Sequence, residues 1–172
     1  MAEIVNKVAQ SKLITLDLEE YLPQESEFQT VDIVAGLDQG IILREKPFRE
    51  WVKSLEWDNT KPFCNILCSE DAIVAKWAFM LVASKALTNG VQPFFGVLDS
   101  AREEKLLNAL KNENLSSFDN APVVVKGCGQ FELSPRVYTE VVTLLQPHCK
   151  TLMFGEPCST VPVYKAQKKP TQ

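Results

Sequence analysis

The stretch Pro62 to Leu87, PFCNILCSEDAIVAKWAFMLVASKAL, decides the fold. Phe63 to Leu67 is an apolar run of strand length that ends at Cys68. Ser69, Glu70 and Asp71 then offer side-chain oxygens to cap a long helix rich in Ala, Val, Leu, Met and aromatic residues. That helix is apolar almost all the way round, which predicts an interior position. The same layout returns twice. Ala121 to Lys126 reads as a strand running into Gly127-Cys128-Gly129, with a helix from Ser134, and Thr151 to Phe154 reads as a strand running into Gly155-Glu156-Pro157-Cys158. Each expected strand is thus followed by a cysteine.

Outward from this stretch, the order is regular. Lys12 to Tyr21 alternates apolar and polar residues and predicts a strand with one wet face, ended by Pro23. Asp32 to Leu37 fits a single helical turn before Asp38-Gln39-Gly40, and Gly40 to Arg44 is a further strand candidate. Lys46 to Trp57 spaces Phe48, Trp51, Val52 and Leu55 for one buried helical stripe, with Pro47 tolerated in the first turn. After the stop Thr88-Asn89-Gly90, Val91 to Leu98 predicts a strand. A helix capped by Asp99 or Ser100 follows and buries Leu106, Leu107 and Leu110, and Asn114 to Asn120 reads as a loop. A helix from Ser134-Pro135 ends at Pro147, and Lys165 to Gln172 reads as a frayed polar tail. The alternation of strands and helices from Gly40 onward predicts an α/β fold with three layers: one largely parallel, or mixed, sheet covered by helices on both faces, with residues 1–172 as a single domain. The first strand pair is the place where an antiparallel contact is expected.

Composition narrows the function classes. A hydrophobic share of 45% with 23% charged residues belongs to a globular chain. Net charge of −4, with Lys and Arg dispersed, argues against a surface that tracks nucleic-acid phosphates. Lys76 and Lys85 interrupt the longest apolar run, which falls short of the roughly 18 residues of a membrane span. Met1 to Ser11 has no signal-peptide core, and five irregularly spaced cysteines fit a reducing compartment, so the expected location is the cytoplasm.

Parallel strands bring their carboxyl ends to one sheet edge, where open α/β sheets bind ligands. If the three cysteine-bearing strands are neighbours, Cys68, Cys128 and Cys158 converge there, a few spacings of about 4.8 Å apart. Cys68 would also stand ahead of a helix amino terminus, which favours a thiolate. Glu156, Asp71 and Glu70 are oxygen donors within sequence reach. Soft thiolates select zinc, copper(I) or an iron–sulfur cluster, so the expectation is a site for zinc, iron or an iron–sulfur cluster on Cys68, Cys128 and Cys158, with Glu156 or Asp71 as further ligands. The spacings of 60 and 30 residues match no standard finger. Two rival readings stand beside it. One is a thiol-dependent enzyme with Cys68 as nucleophile or persulfide carrier and Cys128 or Cys158 as resolving thiol. The other is a structural or adaptor protein with inert core cysteines. Cys64 and Cys149 read as structural, and His148, the lone histidine, as an exposed or helix-capping residue.

Several words of this sequence resemble a known family. AEIVNKVAQSKLITLDLE at 2–19, ILREKPFREWV at 42–52, CSEDAIVAKWAFMLVA at 68–83, VVVKGC at 123–128 and GEPCSTVPVYK at 155–165 resemble bacterial proteins grouped as domain of unknown function 2480. The likeness covers nearly the whole chain and includes Cys68, Cys128 and Cys158. It implies no settled activity. It does imply genes close to those of iron–sulfur assembly factors, so iron–sulfur assembly proteins are the expected partners; a second copy of the chain is a separate expectation, and charge and hydropathy point to neither nucleic acid nor membrane.

Overall fold

The structure, a computed structural model, describes residues 13–127, 129–156 and 158–167. Seven strands and four α-helices occur among the described residues. The strands are β1 (Ile14–Leu16), β2 (Phe28–Asp32), β3 (Phe63–Leu67), β4 (Gln92–Phe95), β5 (Pro122–Val125), β6 (Thr151–Glu156) and β7 (Ser159–Lys165). The helices are α1 (Glu45–Ser54), α2 (Lys76–Thr88), α3 (Leu98–Asn112) and α4 (Pro135–Leu145). The class is α/β with mostly parallel pairing, as expected, but the strands form two sheets where one was predicted. Sheet A has the order β1-β5-β6-β7 and sheet B the order β2-β3-β4. They belong to two compact units, residues 1–22 with 106–172 and residues 23–105.

Sheet B is parallel throughout, and its strands point alternate residues to opposite faces. Val31, Cys64 and Ile66 meet Phe48 and Val52 of α1 and Ala78, Val82 and Ala86 of α2. On the other face Phe28, Phe63 and Phe94 pack with Leu98 and Ala101 from the first half of α3. Helices therefore cover both faces of this sheet. Asn65 is 1% exposed, and its polar groups are used: its Oδ1 accepts from Thr30 Oγ1 at 2.7 Å and its Nδ2 donates to the Gly96 carbonyl at 3.3 Å.

Sheet A runs β1, β5 and β6 in parallel and closes with β7 antiparallel to β6. Ile14, Leu16, Val123, Val125 and Leu152 lie on one face. They pack against Leu106, Leu107 and Leu110 from the second half of α3 and Val137, Val141 and Leu145 of α4. α4 begins as expected, with Ser134 extended at the cap position and Pro135 in the first turn.

Several expectations need correction. α2 starts at Lys76, not after Ser69, and its cap position, Ala75, supplies no side-chain bond. Residues 68–75 form an irregular segment in which Ile73 is 97% exposed. β-branched and acidic residues dominate SEDAIV, and once β3 ends no packed face supports an earlier helical turn there. Nor does α2 lie in the interior: only Ala78, Val82 and Ala86 are fully covered, while Met80 and Leu87 are 71% and 62% exposed.

Gly40 to Arg44 is not a strand. Gln39 and Gly40 take positive φ angles of 52° and 75°, and the segment closes with a single bridge between Asp38 and Ile42. β2 appears in a stretch that shows no alternation, since its buried residues Phe28 and Val31 are three apart. β7 occupies the segment after Cys158. Lys165 closes that strand and the Ala166 N–H donates to the Lys150 carbonyl at 2.9 Å, so the tail is paired to that point, while residues 168–172 lie outside the described part.

The core of residues 23–105 gives a direct test. Phe48 is fully buried, with its ring centroid 5.1 Å from that of Trp51 and 5.7 Å, edge to face, from that of Trp77. Phe48→Ala is expected to cost about 3–5 kcal/mol. All three tryptophans belong to this unit, so urea unfolding followed by tryptophan emission reports the loss; a change below about 1 kcal/mol would contradict the packing described.

Candidate functional site at the carboxyl edge of sheet A

Parallel register lines up the ends of three strands. Leu16 pairs with Val125, and Val125 with Phe154, so the next residues, Asp17, Lys126 and Gly155, come off one edge side by side. The Lys126 N–H donates to the Leu16 carbonyl at 2.9 Å and continues the ladder. Its ammonium lies 2.6 Å from Asp17 Oδ2, with both side chains partly covered. Asp17 Oδ1 meanwhile accepts from the Glu19 N–H at 3.1 Å and caps the short 3-10 turn Leu18–Tyr21.

Glu19 reaches across to the loop after β5, where its Oε1 accepts from the Phe131 N–H at 2.9 Å. A Cβ at Gly129 would run into that carboxylate, and one at Gly127 would lie 2.8 Å from the Phe154 ring. Both glycines therefore keep the loop close to β1 and β6. At the end of β6, Gly155 has φ +124° and a Cβ there would sit 2.5 Å from the Ser159 carbonyl, so the hairpin into β7 needs a glycine. Glu156 pairs with Ser159 across that hairpin, so Cys158 lies at its tip.

The electrostatics follow from this arrangement. The Lys126 hydrogen bond holds the Asp17 carboxyl below its ordinary value against partial burial, with the Glu19 N–H adding to the effect. The hydrogen bond and charge of Asp17 raise Lys126, and the charges of Glu156 and Glu19 act in the same sense. A lysine pushed upward stays an ammonium, so Lys126 is a fixed cation here and no base. Glu156 Oε1 is buried without a hydrogen-bond partner.

The five cysteines are distributed as follows. Cys158 is exposed at the β6–β7 tip. Cys128, which follows Gly127 in sequence, lies outside the described residues. Cys68 follows β3 of sheet B, so the premise that its strand neighbours β5 and β6 does not hold; its partly covered Sγ donates to the Glu70 carbonyl at 3.3 Å. The helix-terminus argument for Cys68 also falls, because α2 begins eight residues later. Beside it, Asp32 accepts from the Ser69 N–H at 3.2 Å and the Val34 N–H at 3.1 Å. Burial works to raise that carboxyl, but bonds from Ser69 and Val34 outweigh it and hold the value down. Glu70 and Asp71 are exposed in the same segment.

Cys64 and Cys149 are buried; burial pushes the Cys64 thiol up to about 11 and raises Cys149 as well, so both stay protonated at neutral pH. His148 Nδ1 lies 2.7 Å from Asp119 Oδ1 at the surface. Among the described residues, no group of three or more His, Cys, Asp and Glu side chains is arranged to hold a metal ion.

Sequence reasoning missed Asp17, Glu19 and Lys126. Their signal was a charged residue directly after an apolar strand, in LITLD and VVVK. It becomes meaningful only once β1 is known to pair with β5.

The Asp17–Lys126 pair predicts a pH dependence. The carboxyl value is depressed, so its stabilisation is complete above 3.8 and is lost as pH falls through the lower folded value. The lysine value is raised, so its contribution is complete below 10.5 and is lost as pH rises through the higher folded value. Asp17→Asn should therefore destabilise the protein at pH 7 and cost progressively less below pH 3.8. Urea midpoints of both proteins, read by far-UV circular dichroism across this range, check it. A gap that stays constant would contradict the pairing.

Compared with curated proteins and with solved structures, the chain finds no match. A family model matches residues 2–166, nearly the whole length, and includes every strand and helix described above. The chain belongs to the family described as protein of unknown function (DUF2480).

Proposed function

We propose that the carboxyl edge of sheet A is the working site of this protein, and that it acts as an accessory protein binding a transition metal or an iron–sulfur cluster through Cys128 and Cys158, with Glu156 as an oxygen donor. The observation that carries this reading is the parallel pairing of β5 with β6. Cys128 is three residues past Val125 and Cys158 two past Glu156, so their chain segments leave neighbouring strands at the same edge. A buried carboxylate oxygen without a partner at Glu156 is the kind of donor a cation would satisfy.

Soft thiolate ligands select zinc, copper(I) or cluster iron, and with Asp17 neutralised by Lys126 it is the Glu19 carboxylate that adds negative potential near the edge. Cys68 and Asp71 belong to the other unit, and the proposal does not call on them. The exposed tip position of Cys158 favours a second reading, in which an accessible thiol does the chemistry without metal.

Metal analysis separates the two. Protein purified in reducing buffer and loaded with Zn²⁺ is expected to retain roughly one ion per chain after desalting. Cys128→Ser and Cys158→Ser should each lose it, Glu156→Gln should weaken it about 10–100-fold, and Cys68→Ser should keep it. A wild-type protein that stays metal-free after loading, or a Cys128→Ser/Cys158→Ser double variant that still retains zinc, would overturn the proposal. Rapid iodoacetamide labelling of Cys158 at neutral pH in such metal-free protein would favour the second reading.

A further inference from the structure

The chain has one Asn-Gly pair, Asn89-Gly90, and the fold places it at the carboxyl end of α2 with both residues exposed. Asparagine is chemically labile before glycine, because no side chain shields the glycine nitrogen from the asparagine side-chain carbon.

A helix cap holds both reacting groups. Gly90 takes φ +76°, its N–H donates to the Leu87 carbonyl at 3.0 Å, and the Val91 N–H donates to the Ala86 carbonyl at 3.0 Å. This double closure of the last turn uses a left-handed glycine and is anchored by apolar packing just beyond it. Val91 and Ala86, 2% and 0% exposed, belong to one core cluster and supply that anchor. The Asn89 side chain closes the same turn, its Nδ2 donating to the Lys85 carbonyl at 2.8 Å.

We infer that Asn89 is a site of spontaneous deamidation that the α2 cap holds shut: conversion proceeds through opening of the cap and, once made, weakens it. In the reaction the Gly90 nitrogen gives its proton to solvent and forms a bond to Asn89 Cγ. The Cγ–Nδ2 bond breaks and the amide nitrogen leaves as ammonia. Water then opens the resulting succinimide at either carbonyl, to aspartate or isoaspartate, with no change of oxidation state. Ring closure needs the Gly90 nitrogen released from Leu87 and the Asn89 amide released from Lys85, so the closed cap opposes it at both atoms.

The products do not fit the cap. An aspartate carboxylate has no N–H for the Lys85 carbonyl and sets one acceptor against another. An isoaspartate lengthens the main chain by one carbon ahead of Gly90, while the next residues are fixed: Val91 is buried, and the Gln92 N–H donates to the Pro62 carbonyl at 2.9 Å where β4 begins.

Metal and thiols take no part in this chemistry. The full chain is warmed at mildly alkaline pH, with and without guanidinium chloride sufficient to unfold it, and the tryptic peptide 86–102 is followed by mass spectrometry. Asn89 is the one asparagine in that peptide, so a gain of one mass unit that separates into aspartate and isoaspartate forms reports its conversion. Conversion is expected to be at least about tenfold slower without denaturant. Val91→Ala loosens the anchor but leaves the reacting pair intact; it should raise the rate without denaturant by about three- to tenfold and leave the rate in denaturant unchanged. Equal rates with and without denaturant, no conversion in denaturant, or a Val91→Ala protein that converts no faster than the wild type would each overturn the assignment.

Discussion

A parallel strand pair cannot be closed by a tight turn, and that constraint shapes the whole chain. Each parallel neighbour must be reached by a crossover long enough to hold a helix, and the helix must bury a stripe on the sheet it crosses. β3 reaches β4 through α2, and β5 reaches β6 through α4. The core side chains Val82 and Ala86 in one unit, and Val137, Val141 and Leu145 in the other, are the price of those crossovers. In return, strands distant in sequence end on a common edge, and whatever residue follows each strand is delivered there.

At the edge of sheet A this delivery sets charges together. β1 and β5 are about a hundred residues apart in sequence, yet Asp17 and Lys126 meet at 2.6 Å because Leu16 and Val125 are in register. The pair is partly solvated, so its value lies less in stability than in position. Asp17 is held to Lys126 and to the first turn after β1, Glu19 to the Phe131 N–H after β5, and Gly127 lies against Phe154 of β6. The candidate site is thereby tied to the end of the sheet. The edge of sheet B is organised differently, with Asp32 holding the chain just past Cys68 through the Ser69 N–H.

Much of the fold was legible in local pattern. Phe63 to Leu67, apolar except for Asn65, and Val123 to Val125 read as strands of a parallel sheet covered on both sides, and α1 and α4 show clear buried stripes with a proline in the first turn. What was not legible depended on pairing. Nothing in LITLD states that β1 adds to β5, so Asp17 and Lys126 could not be linked and the split into two sheets could not be foreseen. β2 escaped notice because Phe28 and Val31 break the period of two, and GIILR misled because its isoleucines are exposed on a turn held by Gly40. The cysteines were easy to see but hard to place. Position after a strand identifies an edge only when the strand's neighbours are known, and Cys68 proved to follow a strand of the other sheet.

The proposed site stands on thiol ligation at the edge of sheet A. X-ray absorption at the zinc edge of the zinc-loaded Cys68→Ser protein tests it most directly, because the buried thiols of Cys64 and Cys149 are held protonated. A shell of two sulfur atoms at about 2.3 Å is the predicted spectrum. A first shell of oxygen and nitrogen alone, near 2.0 Å, would contradict it.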